Sequence, residues 1–449
     1  GFGHAAERTP DTNLPGYSAG GEWSRYNKTL DGQRWSPLTQ INTGNADKLD
    51  EVCRYKVADN GSFQAGLIVV DNIMYLTTAT DTLAMDPTNC TVLWRHRHRR
   101  DRAAPFPVNR GVAYYAGRLF RGTDDGQVIA LDARSGTELW ANTVGSPNEG
   151  EIVTGAPLAW NGILIVGTAV SEFGVRGRVI AYDTMTGREL WRFHTVPAPG
   201  EPNADTWRNT IWNDTGGGGG GTWSHFALDP ATAELFIPVA NPIPDFVPAE
   251  RPGDNLYTNS VLALNPASGE IVWYFQFTPH DVWDYDATNG LVVAELKLEG
   301  EQRRVVLQPN RNGYLYMLDA RSGEFLRGTQ YVDRLNWSKG LTAAGRPIVD
   351  KDYLPLPGGN PRFVCPGVAG GHNGSFTYAF DGRTLFVPSI EACVKPEAAP
   401  MEFTEGEPYW GGGPGVTEGE DGSSYGIFVA IDVATGKILW RHKDPHPFF

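Results

Sequence analysis

The chain has 449 residues, 41% hydrophobic and 11% aromatic, enough apolar material for a large core and too much for a disordered chain. Its 52 acidic against 38 basic residues give a formal charge of −14, which disfavours nucleic acid and anionic membrane surfaces as partners. No apolar run reaches 18 residues: the longest, around "GLIVVDNIMYL", is broken by Asp71, so no membrane span is predicted.

At the N-terminus, "GFGHAAERTPDTNLPGYSAGG" carries neither a basic n-region nor an apolar h-region, so a secretory signal is expected to have been removed already. Four cysteines allow two disulfides in an oxidising compartment. Pairing Cys53 with Cys90 and Cys365 with Cys393 would close loops stabilising by roughly 3 to 4 kcal/mol each; four reduced cysteines serving as small hydrophobes are the alternative.

One phrase then recurs along the chain: "VIALDARSGTELW" (128–140), "VIAYDTMTGRELW" (179–191), "VLALNPASGEIVW" (261–273), "LYMLDARSGEFLR" (315–327) and "FVAIDVATGKILW" (428–440), with a worn copy "LAMDPTNCTVLW" (83–94). Each reads as a strand, an Asp or Asn, a turn closed by Gly and a second strand, in most copies ending in Trp. The spacing is that of a four-stranded blade, and helical periodicity is nearly absent. The fold class predicted is all-β, a propeller of four-stranded antiparallel blades with Trp packed between them. About seven units are recognisable, one of them a degenerate blade around "SFTYAFDGRTLFVPSIEACV". The abrupt end at "RHKDPHPFF" implies either a further C-terminal piece or closure of the ring by "EWSRYNKTLDGQRWSPL".

Chemistry concentrates in a few stretches. In "PHDVWDYDATNG", read as a strand, Asp284 and Asp286 face one way, about 6 to 7 Å apart, beside Trp283 and Tyr285. If buried, two such like charges call for a cation; a solvated acidic loop is the alternative, against which the flanking rings argue. Glu172 in "SEFGVRG" and Asn241 in "VANPIPDF" complete an all-oxygen site suited to a hard ion; each alone is more often a turn residue. Arg110, Arg176 and Arg311 suit a polyanionic cofactor, with a surface salt bridge the bland reading for any one. "DTGGGGGGTW" is either a linker or a close backbone approach to a flat ligand on which Trp223 stacks.

The "D-x3-G-x3-W" hairpins together with "TPHDVWDYD", "SEFGVRG", "NRNG" and "GGHNG" resemble the pyrroloquinoline quinone (PQQ)-dependent alcohol dehydrogenases over nearly the whole chain. The resemblance implies one catalytic domain over 1–449 without a cytochrome domain, an eight-bladed propeller whose last blade lies beyond this chain, and a periplasmic location. It implies oxidation of an alcohol or aldehyde with Asp284 as base and hydride passing to metal-bound PQQ, Arg311 stabilising the charge that develops on the quinone oxygens. Glu172, Asn241, Asp284 and Asp286 would be metal ligands, with Asp286 favouring a lanthanide over Ca²⁺. Gln64, Arg110, Thr154, Arg311 and Asn373 would bind PQQ, Trp223 would stack on it, and Cys365–Cys393 would be a family disulfide. A cytochrome c-type protein would accept the electrons, and a homodimer is compatible. The family's adjacent-cysteine disulfide is absent from "RAAPFPVNRG", leaving Phe106 or Pro107 to cap the second face, and Ala169 stands where methanol-oxidising members have serine. The rival classes are a non-enzymatic protein-binding propeller and a Ca²⁺-dependent glycan-acting one, for which only Asp281 is a spare carboxylate.

Overall fold

Every copy of the recurrent phrase forms the third and fourth strands of a four-stranded antiparallel sheet. The computed structural model describes residues 22–57, 63–100, 104, 106–145, 150–169, 171–208, 217–359, 361–368, 370–371, 379–415 and 424–447. Within them the first sheet comprises Ile68–Val70, Ile73–Thr77, Asp81–Met85 and Val92–Arg97. Five more follow over 113–143, 158–194, 227–276, 292–330 and 379–444.

The repeated residues explain the hairpin. Asp132 Oδ1 accepts the backbone N–H groups of Arg134 (3.1 Å) and Ser135 (2.8 Å), an Asx turn that replaces two strand hydrogen bonds. The same bonds recur at Asp183 and Asp319. A register shift one or two residues before the turn places a small residue opposite the Trp, as in Ala130↔Trp140, Ala181↔Trp191 and Ala263↔Trp273.

The Trp then joins one sheet to the next. Trp94 Nε1 donates to Ala133 O (3.1 Å), Trp140 to Thr184 O (3.3 Å), Trp191 to Pro266 O (2.9 Å) and Trp273 to Ala320 O (2.9 Å). The turn glycine allows this approach. At Gly269, with φ +73, a Cβ would lie 2.5 Å from the Trp191 ring, and at Gly323, 2.5 Å from that of Trp273. Where the 315–327 copy has Arg327 instead, its Nη1 reaches Val433 O (3.2 Å) and Ala434 O (2.6 Å) in the same position. Sheet thus follows sheet in propeller order. Trp440, in the last copy, is 45% exposed and stacks on Phe428, whereas Trp273 is 8% exposed.

Two expectations are corrected. The "SFTYAFDGRTLFVPSIEACV" stretch is not a separate blade: its described part gives the two inner strands of the sixth sheet, Ala379–Phe380 and Thr384–Glu391, whose outer strands come after an insertion over 392–424. Six four-stranded sheets, rather than seven units, are therefore formed by the described residues. Nor does "EWSRYNKTLDGQRWSPL" supply strands to any four-stranded sheet. Instead Trp23, Leu30, Asp31 and Gln33 accept, through their carbonyls, the N–H groups of Val69, Leu228, Val293 and Phe380, each at 2.8 Å, and Arg25 Nη1 donates to Ala159 O at 3.0 Å. All five partners lie in first strands, whose free edges would otherwise be unpaired, so the segment caps the inner rim.

Both disulfides form as paired above, Cys53–Cys90 (1.99 Å) and Cys365–Cys393 (2.03 Å). No helix among the described residues is long and apolar enough to cross a membrane.

Candidate active site

Because strands one and two of each sheet are antiparallel, the segment leading into strand one and the connection leaving strand two lie at the same end of the blade. Gln64, Arg110, Thr154, Trp223 and the Asp284/Asp286 pair all sit in lead-in segments, of the first through fifth sheets in turn; Glu172, Asn241 and Arg311 all sit in second-to-third connections. Residues scattered over about 250 positions in sequence thus converge on one end of the ring. Asn373 precedes the sixth sheet's first strand in sequence but lies outside the described residues.

The stretch 281–286 is a turn, not the strand expected from its alternation. Asp281 makes it so: Oδ1 accepts Trp283 N (3.0 Å) and Oδ2 accepts Tyr285 N (2.7 Å), leaving Asp284 at φ +60. Trp283 and Tyr285 stack at 5.6 Å and pack on Trp337, and Tyr285 Oη donates to Pro366 O (2.6 Å). With the rings committed to the core, Asp284 and Asp286 still turn to one point. Arg311 Nη1 lies 3.3 Å from Asp284 Oδ1 and 3.5 Å from Asp286 Oδ2.

Asp286 ties the other donors to this point. Its Oδ2 accepts Trp223 Nε1 and its Oδ1 accepts Asn241 N, both at 3.2 Å. Asn241 Nδ2 is held by Pro242 O (3.2 Å), which fixes the amide, and Oδ1 is left buried with no hydrogen-bond partner. On the far side Arg110 Nη1 donates to Thr154 Oγ1 (2.7 Å) and Trp223 O (3.1 Å), its guanidinium 4.5 Å from the Trp223 ring centre. The glycine run is no linker. Gly219 O accepts Gly177 N (2.9 Å), Gly220 N donates to Asn241 O (2.9 Å) and Ile243 N donates to Gly218 O (3.1 Å), so the run zips the Asn241 connection to the one that follows Glu172. Its close approach, in the described residues, is to those loops. Arg176 points elsewhere, to Val196 O (2.6 Å) and Glu201 Oε2 (2.9 Å).

These residues enclose a cavity of about 430 Å³, lined by Gln64, Arg110, Thr154, Trp223, Glu172, Asp284 and Asp286. Phe106 and Ala169 line it too. Burial and the neighbouring Asp286 push the Glu172 carboxyl up to about 7. Burial likewise raises Asp284 well above the carboxylate range, against the pull of Arg311 and with the push of Asp286. Burial draws the Arg110 guanidinium down to about 10. The protein alone thus holds its acids under mutual repulsion.

A hard cation fits this donor set: it would relieve the repulsion and give Asn241 Oδ1 its missing partner. Among the described residues no three His, Cys, Asp or Glu side chains form a group able to hold a metal ion as they stand, so Glu172, Asp284 and Asp286 would have to draw together around the ion. A planar polyanion also fits, since Arg110 and Arg311 each keep a buried Nε without a partner. Two features escaped the sequence reading: Asp245, four residues after Asn241 in the same connection, and a wall of Phe246, Trp410 and Pro414. Equivalent placement in the repeat was the available signal for Asp245; Trp410 lies in the 392–424 insertion and had none.

Residues 23–332 match the family model for PQQ glucose/ethanol/alcohol dehydrogenases, beta-propeller domain. The chain belongs to the PQQ-dependent alcohol dehydrogenase family. Among curated relatives, the dehydrogenase subunit of the quinone alcohol dehydrogenase of Gluconacetobacter polyoxogenes is 38% identical over 82% of the chain and 54% of its own length. The lanthanide-dependent methanol dehydrogenase of Methylacidiphilum fumariolicum is 31% identical over 95% of the chain and 74% of its own. The solved quinohemoprotein alcohol dehydrogenase from Pseudomonas putida HK5 superposes with a TM-score of 0.88 at 33% identity, covering 95% of the chain and 67% of that structure. The chain spans about half the length of the first curated relatives it matches.

Proposed function

We propose that this family member oxidises an alcohol to a carbonyl compound at the cavity end of the ring. The observation that carries the reading is the convergence of Asp284, Asp286 and Arg311 beside an orphaned Asn241 amide oxygen. Glu172, Asn241, Asp284 and Asp286 would hold one metal ion, and Gln64, Arg110, Thr154, Trp223 and Arg311, with Asn373, would hold PQQ. When bound, the quinone supplies the two-electron acceptor and the metal the Lewis acid that polarises it.

The chain's own groups do the rest. Asp284 Oδ takes the proton of the substrate hydroxyl; Arg311, 3.3 Å away, pulls toward the ionised form against burial, and is placed to stabilise negative charge developing beside it. Trp223 offers a flat apolar face whose orientation is fixed by its bond to Asp286. Phe106 and Trp410 give the cavity an apolar wall. A second acidic ligand beside Asp284 favours a trivalent ion, hence a lanthanide over Ca²⁺.

The same reading takes 1–449 as one catalytic propeller of an eight-bladed ring, working in the periplasm, passing electrons to a cytochrome c-type acceptor and able to form a homodimer. The disulfides support an oxidising compartment. A dye-linked assay of protein reconstituted with PQQ and either Ca²⁺ or a light lanthanide, over a panel of alcohols and aldehydes, tests it. Asp284→Asn should lose turnover by at least about a thousandfold with the fold intact; undiminished activity in that variant removes Asp284 as base.

A further inference from the structure

Asp245 is the one acid lining the cavity that the reading above leaves without a role. It is 3% exposed, and its Oδ1 is buried with no hydrogen-bond partner. The nearby Arg251 does not answer it. Four of its N–H groups go to the carbonyls of Pro244, Asp245 and Asp281 and to Asn255 Oδ1, and none of these bonds reaches the Asp245 carboxylate. Asp245 and Asp284 line the same cavity, and burial, with Asp284 the largest of the charges acting on it, raises the Asp245 pKa.

Much of the rest of the cavity lining is apolar. Phe106, Phe246, Trp410 and Pro414 line the same space, and Phe246 N donates to Trp410 O (3.1 Å), which ties Trp410 to the connection that carries Asp245. An unbranched aliphatic chain lying along this wall would cover Asp245 and leave its carboxylate buried and unpaired, which is costly. A chain that carries a hydrogen-bond donor at that place removes the cost. The discrimination has a favoured direction: sites built around a buried polar group reject analogues that lack its partner far more strongly than apolar sites reject an added hydroxyl.

We propose that Asp245 selects the substrate: its carboxylate accepts a hydrogen bond from a second donor, hydroxyl or ammonium, on an alcohol whose reacting carbinol lies at Asp284. The inference rests on the alcohol-oxidising reading above and narrows its substrate class to diols and amino alcohols. Asp245 takes no part in the proton transfer. It positions the chain of the substrate and so fixes which carbinol meets the base.

The test compares wild type with Asp245→Asn and Asp245→Leu on 1-propanol, 1,2-propanediol and 3-amino-1-propanol. The wild-type kcat/KM for at least one donor-bearing alcohol should exceed that for 1-propanol by on the order of tenfold to a hundredfold. That ratio should collapse in the Leu variant, and the Asn variant should keep part of any diol preference and lose any amino-alcohol preference. Equal ratios in all three proteins overturn the proposal. So does a more than tenfold loss of metal affinity in Asp245→Asn, read by calorimetric titration of Ca²⁺ or La³⁺, since Asp245 would then be a metal ligand. If wild type oxidises none of the three, the proposed function has failed rather than this inference. Binding of 1,2-propanediol to the metal-loaded protein, followed by tryptophan fluorescence, then decides: weaker binding in Asp245→Leu sustains the role, and identical binding ends it.

Discussion

Asp281, Asp284 and Asp286 are three aspartates in six positions with three different tasks. Asp281 accepts two backbone N–H groups and builds the turn; Asp286 anchors Trp223, Asn241 and Arg311; Asp284 faces the cavity with Arg311 beside it. The alternation of acid and aromatic made the shared orientation of Asp284 and Asp286 legible, although for the wrong local reason. The side-chain cap at Asp281 was not legible, because an Asx turn and a strand place the same residues on the same two sides over so short a span. Asp281→Ala should cost about 2 to 4 kcal/mol, since it strands two buried N–H groups. Denaturant unfolding checks it, and metal affinity should fall in the same variant as Asp284 and Asp286 lose their register.

Among the elements, the hairpin repeat was the plainest signal in the sequence, because its Asp, Gly and Trp each carry a separate geometric duty that few other residues can perform. The glycine run was ambiguous for the opposite reason: six identical residues say that backbone comes close to something without saying to what. Gly219 has φ +92, and a Cβ there would lie 2.8 Å from Asn241 O. Gly219→Ala should therefore destabilise by more than about 2 kcal/mol and weaken metal binding by displacing Asn241; unchanged affinity would show that the run does not position that ligand.

At the end of Thr384–Glu391, Glu391 accepts the N–H groups of Asp333 (2.8 Å) and Arg334 (3.0 Å), and burial pushes its carboxyl up to about 7 despite these bonds. A raised acid pKa means that the unfolded chain releases this proton first. The associated stability is therefore full below about pH 4.5 and lost as pH rises through about 7. Relative to wild type, Glu391→Gln should gain up to roughly 3 kcal/mol between pH 4.5 and 8 in urea unfolding. A difference that does not change with pH would contradict this.

Across the whole molecule, successive sheets are joined by a Trp from each of the first four, and by Arg327 from the fifth, reaching the turn of the next, while the segment 23–33 ties the inner strands together. The repeat made the first device readable; the second has no repeat and no hydrophobic period, since its bonds are mostly backbone carbonyls. Trp191→Ala and Trp273→Ala should each cost about 3 to 5 kcal/mol. Trp440→Ala in this chain should cost less than about 1.5 kcal/mol, because its indole is already 45% exposed. Thermal midpoints of the three variants measure the contrast. The site inherits its form from the same symmetry: lead-in segments and second-to-third connections meet at one end of every blade, so donors far apart in sequence need no long-range motif.

The central claim is that one multivalent cation sits among Glu172, Asn241, Asp284 and Asp286. Tb³⁺ titration read by tryptophan-sensitised luminescence tests it directly, because the Trp223 indole is bonded to Asp286 at 3.2 Å. Emission should saturate at one equivalent, weaken by at least about tenfold in affinity in Asp286→Ala and in Glu172→Gln, and be displaced by Ca²⁺ only at higher concentration. Absence of a saturable one-equivalent signal, or equal affinity in wild type and both variants, would contradict the account.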